Sequence, residues 1–285
     1  MKKVTLLIVM ICSLSVYSRS AMNYLIQQGG GNGSTWTKTL GANDSIVDLT
    51  IANKDFTGWL TSRTSWLAGD QVWVAAGTYN IASVWTIPSI VVGSVYGGFA
   101  GTENSVGERS KGVNAWIYLN ETVINGSAST AGILNAGGDR TMVIDGLTFT
   151  GCSSTAGQAV YQRPNMTIQN CKFTSNACVA LRYYITAASK TASATNCYFY
   201  SNTNAVTGGA EGGCIMANNG SSGGTYSVTG CVFDSNSSLA TGSGASAGIK
   251  AQGVGSVNIS NCIFKNNNAT AGNSSAVSLT SATCS

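Results

Sequence analysis

Apolar positions along this chain recur two residues apart, and such pairs come in couples separated by a step of three. Met142 and Ile144, Met166 and Ile168, Ala192 and Ala194, Tyr226 and Val228, and Val257 and Ile259 are the leading pairs. A spacing of two keeps both side chains on one face of a strand. The trailing pairs lie inside a seven-residue phrase: Asn170-Cys171-Lys172-Phe173-Thr174-Ser175-Asn176, Asn196-Cys197-Tyr198-Phe199-Tyr200-Ser201-Asn202, Gly230-Cys231-Val232-Phe233-Asp234-Ser235-Asn236 and Asn261-Cys262-Ile263-Phe264-Lys265-Asn266-Asn267. A degenerate copy is Gly146-Leu147-Thr148-Phe149-Thr150-Gly151-Cys152. The odd step, as from Ile259 to Cys262, does not fit one face of one strand and predicts a corner between two short strands. Gly146, Asn170, Asn196, Gly230 or Asn261 sits at that corner. Gly and Asn are the residues that enter left-handed backbone most readily. The same logic assigns a second corner to the Asn that ends the phrase.

The phrase returns unevenly, with its phenylalanine at Phe149, Phe173, Phe199, Phe233 and Phe264. Repeats of this length mean one structural unit stacked many times, and a coil of a parallel β-helix uses roughly 20 to 30 residues. Ile124-Asn125-Gly126 and Ile144-Asp145-Gly146 share a triplet at the short end of that range and extend the pattern upstream. The surplus in the longer repeats falls in Gly/Ser/Asn/Thr-rich stretches at 218–224, 237–245 and 268–274, which are loop compositions. The expectation is an all-β right-handed parallel β-helix, a solenoid with three short strands per coil and Ile, Val, Cys, Phe and Ala inside. Like residues then stack in ladders about 4.8 Å apart, and corner asparagines such as Asn261 hydrogen-bond along the axis.

Composition agrees with one solenoid domain. Charged residues are 9% of the chain, and there are two prolines, Pro88 and Pro164, which leaves the strand ladder uninterrupted. The start of the chain reads as a secretory signal over 1–21. Lys2 and Lys3 precede an apolar run from Val4 to Val16, followed by Ser18, Ser20 and Ala21. Without Lys2, Lys3 and Arg19 the formal net charge falls from +4 to +1. No basic patch for nucleic acid exists, and no later segment is long and apolar enough to span a membrane as a helix.

Cys171, Cys197, Cys231 and Cys262 share one repeat position, which Leu147 fills in the weaker copy. A slot that accepts Leu or Cys is apolar, so these four are expected as buried thiols. Cys152, Cys178, Cys214 and Cys284 lie outside that slot, where disulfide and free thiol both remain open. Zinc is not expected: the chain has no His and no CxxC pair.

Residues 22–68 do not repeat. Phe56, Trp59, Leu60, Arg63, Trp66 and Leu67 follow helical spacing. The segment is expected to cap the exposed start of the solenoid, which then occupies 69–285.

Next comes Gly69-Asp70-Gln71-Val72-Trp73-Val74-Ala75-Ala76-Gly77-Thr78-Tyr79, then Val95-Tyr96-Gly97-Gly98-Phe99-Ala100-Gly101-Thr102-Glu103 and Arg109. This run resembles the first coils of secreted bacterial right-handed parallel β-helix proteins of the pectin-lyase-like superfamily. The FxxN phrases, with Gly212-Gly213-Cys214-Ile215, resemble the repeats of polymorphic outer membrane proteins. The resemblance covers about residues 69–280 and implies a secreted, cell-surface or outer-membrane protein.

That fold hosts lyases, hydrolases, adhesins and passenger domains, so it does not decide function. A lyase of this kind implies carboxylates clustered for calcium beside a basic residue. Asp139, Asp145, Glu211 and Asp234 occupy different repeat positions, and Arg140, Arg163 and Arg182 have no evident acidic partner in the sequence. Acids are denser at Glu103, Glu108 and Glu121, where a Glu103–Arg109 ion pair is expected to fix the loop. No catalytic, cofactor-binding or metal-ligating residue is assigned, and no cofactor is expected. The reading is a non-catalytic, adhesin-like protein, with a polysaccharide lyase as the alternative. The partners expected are a polysaccharide or a host or neighbouring cell surface. Any binding site is expected in the unequal loops between phenylalanines. The chain also reads as a C-terminally incomplete piece of a longer surface protein.

Overall fold

The computed structural model describes residues 20–28, 34–49, 59, 66–81, 83–87, 93–127, 132–136, 138–139, 141–153, 157–185, 187–205, 212–241, 245–269, 274–280 and 283–284. Most of the expected leader at 1–21 and most of the helical stretch at 56–67 lie outside these residues.

The chain is an all-β solenoid of parallel strands. One sheet of fifteen strands runs from Asp44–Asp48 through Asn23–Gln27, Gln71–Ala75, Ser94–Phe99, Met142–Asp145, Met166–Gln169 and Thr191–Thr195 to the long strand Ile215–Thr229. From there it returns along Val179–Ile185, Gln158–Gln162, Leu134–Ala136 and Trp85–Ile87. Ile215–Thr229 joins two sides of the coil, with Ile215 beside Leu181 and Val228 beside Ala194. A second sheet of seven strands carries the phrase: Gly77–Asn80, Thr122–Asn125, Leu147–Thr150, Lys172–Thr174, Tyr198–Tyr200, Val232–Asp234 and Ile263–Lys265. Three two-residue strands, Thr203–Asn204, Ser237–Ser238 and Asn268–Ala269, follow the phrase on its last coils. Among the described residues no helix is long and apolar enough to cross a membrane.

The paired spacing produces this architecture as expected. Met142, Met166 and Ile144, Ile168, Ala194, Val228 stand in register along one side. The phrase phenylalanines are in register along the next. Phe173, Phe199, Phe233 and Phe264 stack with centroids 4.8, 4.8 and 4.6 Å apart and rings within 7° of parallel. Such stacking adds about 0.5–1.5 kcal/mol per pair beyond area burial. Cys171, Cys197 and Cys231 are fully buried beside them, Cys262 is half-buried, and Leu147 takes the same slot in the first copy. All four cysteines are free thiols, as are Cys152, Cys178 and Cys214. Burial pushes the Cys197 and Cys214 thiols well up.

The first corner falls where the sequence puts it. Gly146, Asn170, Asn196, Gly230 and Asn261 have φ of 74°, 52°, 51°, 65° and 53°. The second corner differs by one residue. The left-handed positions are Gly151, Ser175, Ser201, Ser235 and Asn266, with φ between 51° and 73°. The following Asn176, Asn202, Asn236 and Asn267 turn their amides inward, and these form the ladder. Asn261, expected in a ladder, is exposed. Its corner row is broken by glycine at 146 and 230, so no continuous amide row can form there.

One further expectation is corrected by register. Ile124 pairs with Phe149, not with Ile144. The shared Ile-x-Gly triplet placed Ile124 in the leading-pair slot, whereas it fills the phrase slot. Within the segment expected as a cap, Asn23–Gln27 and Asp44–Asp48 supply two strands at one end of the large sheet, with Tyr24 beside Val72. Trp59 and Trp66 pack on Tyr24, at 5.6 and 5.7 Å.

Candidate functional site

Residues 101–121 leave the coil after Phe99 and return at Thr122. This insertion is anchored by one buried ion pair. Arg109 Nη2 lies 3.2 Å from Asp145 Oδ2, and both side chains are at most 5% exposed. The expected partner of Arg109 was Glu103. That carboxylate instead accepts the backbone N–H groups of Ala100, Gly101 and Thr102 at 2.8–3.1 Å. It closes its own turn, which leaves Arg109 to reach the corner of the next coil. Asp145 also accepts from Tyr118 Oη (2.8 Å), Gln169 Nε2 (2.8 Å) and Asn170 Nδ2 (3.1 Å). Burial alone would raise the Asp145 carboxyl. The Arg109 charge and these hydrogen bonds outweigh it and hold the group below its ordinary value. The Arg109 guanidinium lies over Tyr118, Phe99 and Tyr96 at 4.7, 5.4 and 5.5 Å. Gly98, at φ +88°, leaves room for the Tyr118 ring, which any Cβ there would strike.

The anchored insertion carries Trp116 over the outer surface of the phrase sheet. Trp116 and Tyr198 stack at 5.5 Å and 17°, and Tyr198 stacks on Tyr200 at 5.7 Å and 14°. Of the six tryptophans, Trp116 alone is not buried. Beneath it lies a groove of about 380 Å³ lined by Trp116, Ile117, Glu121, Val123, Thr148, Thr150, Lys172, Thr174 and Tyr198. This is near the small end of the roughly 300–1,000 Å³ typical of ligand clefts. The lining threonines, lysine and tyrosine are the outward third and fifth residues of successive phrases, brought together by the register Thr148–Lys172–Tyr198.

Glu121 and Lys172, far apart in the chain, pair in the groove at 2.7 Å. Thr148 Oγ1 donates to the same Glu121 oxygen at 2.7 Å. Burial would raise Glu121, but the hydrogen bonds from Lys172 and Thr148 and the Lys172 charge hold it below its ordinary value. Next to the groove, Tyr198 Oη donates to Asp234 at 3.1 Å, and Lys265 lies 3.0 Å from Asp234.

The other acids and arginines named in the sequence are scattered. Asp139 pairs with Lys190 at 3.3 Å. Glu108 accepts from Asn104 N and Ser105 Oγ within its own turn. Arg163 lies over Tyr161 and Tyr184, and the Arg182 guanidinium donates to the side-chain oxygen of Asn218. Arg140 and Glu211 lie outside the described residues. Among the described residues no three Cys, Asp or Glu side chains converge as metal ligands.

The groove is built jointly by the outward residues of the phrase strands and by the insertion at 101–121, which supplies Trp116, Ile117 and Glu121. Sequence reasoning missed it because the outward phrase residues look variable one coil at a time. The signal was present as Thr148, Lys172 and Tyr198 at one repeat position, with a tryptophan in the long interruption before them. No protein-family model, no curated protein and no solved structure matches the chain.

Proposed function

We propose that this chain is a non-catalytic secreted or cell-surface protein that binds glycan through the groove under Trp116. In this reading the solenoid is a right-handed β-helix of the pectin-lyase-like kind, with repeats like those of polymorphic outer membrane proteins, exported by its leader at 1–21. It acts as a rigid stalk, adhesin-like, whose ligand is a polysaccharide or a host or neighbouring cell surface.

The observation that carries the reading is the pairing of a half-exposed aromatic stack with a floor of hydroxyl and charged groups. A sugar ring presents C–H groups on its faces and hydroxyls around its edge, and this lining offers a partner to both. Aromatic side chains contribute large contact area at low entropic cost. The floor is rigid, because every strand in it is paired on both sides within the seven-stranded sheet.

A glycan array probed with the wild-type protein and with Trp116→Ala tests the reading. Binding that the substitution abolishes supports it, and binding that the substitution leaves intact contradicts it. The lyase alternative is tested in parallel with uronic-acid polysaccharides and Ca²⁺, where release of unsaturated product would overturn the non-catalytic reading. The arginine–carboxylate pair Arg109–Asp145 is buried and serves to hold the insertion.

A further inference from the structure

We infer that the groove selects uncharged pyranose glycans through a vicinal diol that bridges Glu121 and Lys172; this rests on the glycan reading of the same groove. Glu121 Oε1 already accepts from Lys172 and Thr148. Its Oε2 accepts no hydrogen bond among the described residues. Lys172 Nζ carries three N–H donors, and one is committed to Glu121. The Lys172 and Glu121 side chains are 21% and 43% exposed, and both line the groove. An acceptor and spare donors therefore stand side by side. Each hydroxyl of a sugar diol can donate once and accept twice. One hydroxyl donates to Glu121 Oε2 while its neighbour accepts from Lys172 Nζ. The hydroxyls of Thr150 and Thr174 make no side-chain hydrogen bond among the described residues and remain available along the floor. Trp116, Ile117, Val123 and Tyr198 take the C–H face.

The charge pattern argues against an acidic sugar. Each lysine at the groove is matched by a carboxylate, Lys172 by Glu121 and Lys265 by Asp234. A uronate or sulfate entering here would meet Glu121 without an unpaired cation to receive it. A like charge at contact distance in a partly dry groove weakens binding by roughly tenfold or more.

The test uses the whole protein and reads the fluorescence of Trp116 while neutral gluco-, manno- and galacto-oligosaccharides are titrated at low salt. Galacturonate and glucuronate oligomers of equal length are titrated in the same way. Neutral oligomers are expected to bind and acidic ones to bind at least about tenfold more weakly. Glu121→Gln and Lys172→Met are each expected to weaken neutral binding by about tenfold, with the thermal midpoint confirming that these half-exposed variants stay folded. Acidic oligomers that bind well, and more tightly to Glu121→Gln, would overturn the inference while leaving the groove a glycan site. Neutral binding unchanged by both substitutions would overturn the diol bridge. If no oligomer of either class perturbs Trp116, the glycan reading itself falls, and the inference with it.

Discussion

Asn202 donates its side-chain amide to Asn236 Oδ1 at 3.0 Å, and its backbone N–H reaches the same oxygen at 3.0 Å. The second amide N–H of Asn202 goes to Phe173 O at 2.8 Å. Asn176 repeats the pattern onto Asn202, and Asn236 repeats it onto Asn267. Each buried amide in the row has its two donors and its oxygen satisfied, so it ties three successive coils together.

Asn202→Ala removes those bonds and takes the acceptor from the backbone N–H of Asn176 and from one N–H of its side-chain amide. Stranded buried polar groups cost about 1–3 kcal/mol each. A loss of roughly 2–4 kcal/mol is expected, which lowers the thermal midpoint by on the order of 5–15 °C. Asn261→Ala, at an exposed left-handed corner, should cost only about 1 kcal/mol, and Asn261→Gly should be neutral. Equal losses at 202 and 261 would contradict the location of the ladder.

Ser201 holds φ at 51°, a conformation unfavourable for a residue with a Cβ. Ser201→Gly is expected to raise stability by about 0.5–1 kcal/mol, as the natural glycine at the equivalent position 151 suggests. Chemical denaturation checks the sign. A destabilised variant would mean that the serine side chain contributes more than its strain costs.

The thiol row gives a chemical test. Cys171, Cys197 and Cys231 are fully buried, and Cys262 is half-buried at the last phrase. Ellman's reagent added to the native protein should therefore spare the first three and label Cys262, with full reaction only after unfolding. Cys197→Ser, which buries a hydroxyl in an apolar row, should destabilise more than Cys197→Ala. Rapid native labelling of Cys197 would contradict its place in the core.

Asp145 sets an acid limit on stability. Its folded pKa lies below the ordinary 3.8, so the unfolded chain binds its proton first as pH falls. Its contribution is therefore complete above about pH 4 and is lost as pH drops through the folded value. Wild-type protein should lose stability steeply below about pH 4, and Asp145→Asn should show a flatter profile there. At neutral pH the same substitution leaves Arg109 buried without its partner, at a cost of about 3–5 kcal/mol. A profile identical to wild type would remove Asp145 as the anchor of the insertion.

How far these features were legible depends on the range of the interaction. The phrase encodes the coil because each of its residues meets its own copy one turn away, so Phe173 on Phe199 could be read as a repeat. The ladder was one residue off because Ser and Asn both tolerate turns. Which of Ser175 and Asn176 takes the positive φ depends on the inward space beside Phe149 O, which the linear sequence does not display. Glu103 is the near partner for Arg109 along the chain, yet the guanidinium binds Asp145 at the corner of the next coil. The groove needed that long-range anchor, since Trp116 reaches Tyr198 only when the insertion is folded onto the sheet. The leader and the helical stretch at 56–67 remain expectations from sequence.

The most direct measurement is acrylamide quenching of Trp116, the one tryptophan that is not buried, with and without a glycan drawn from the array. Bound glycan should lower the quenching constant of the wild-type protein, and Tyr198→Ala should abolish the protection while leaving the thermal midpoint within a few degrees. Quenching unchanged by saturating glycan, or protection that persists in Tyr198→Ala, would contradict a binding site built on the phrase sheet.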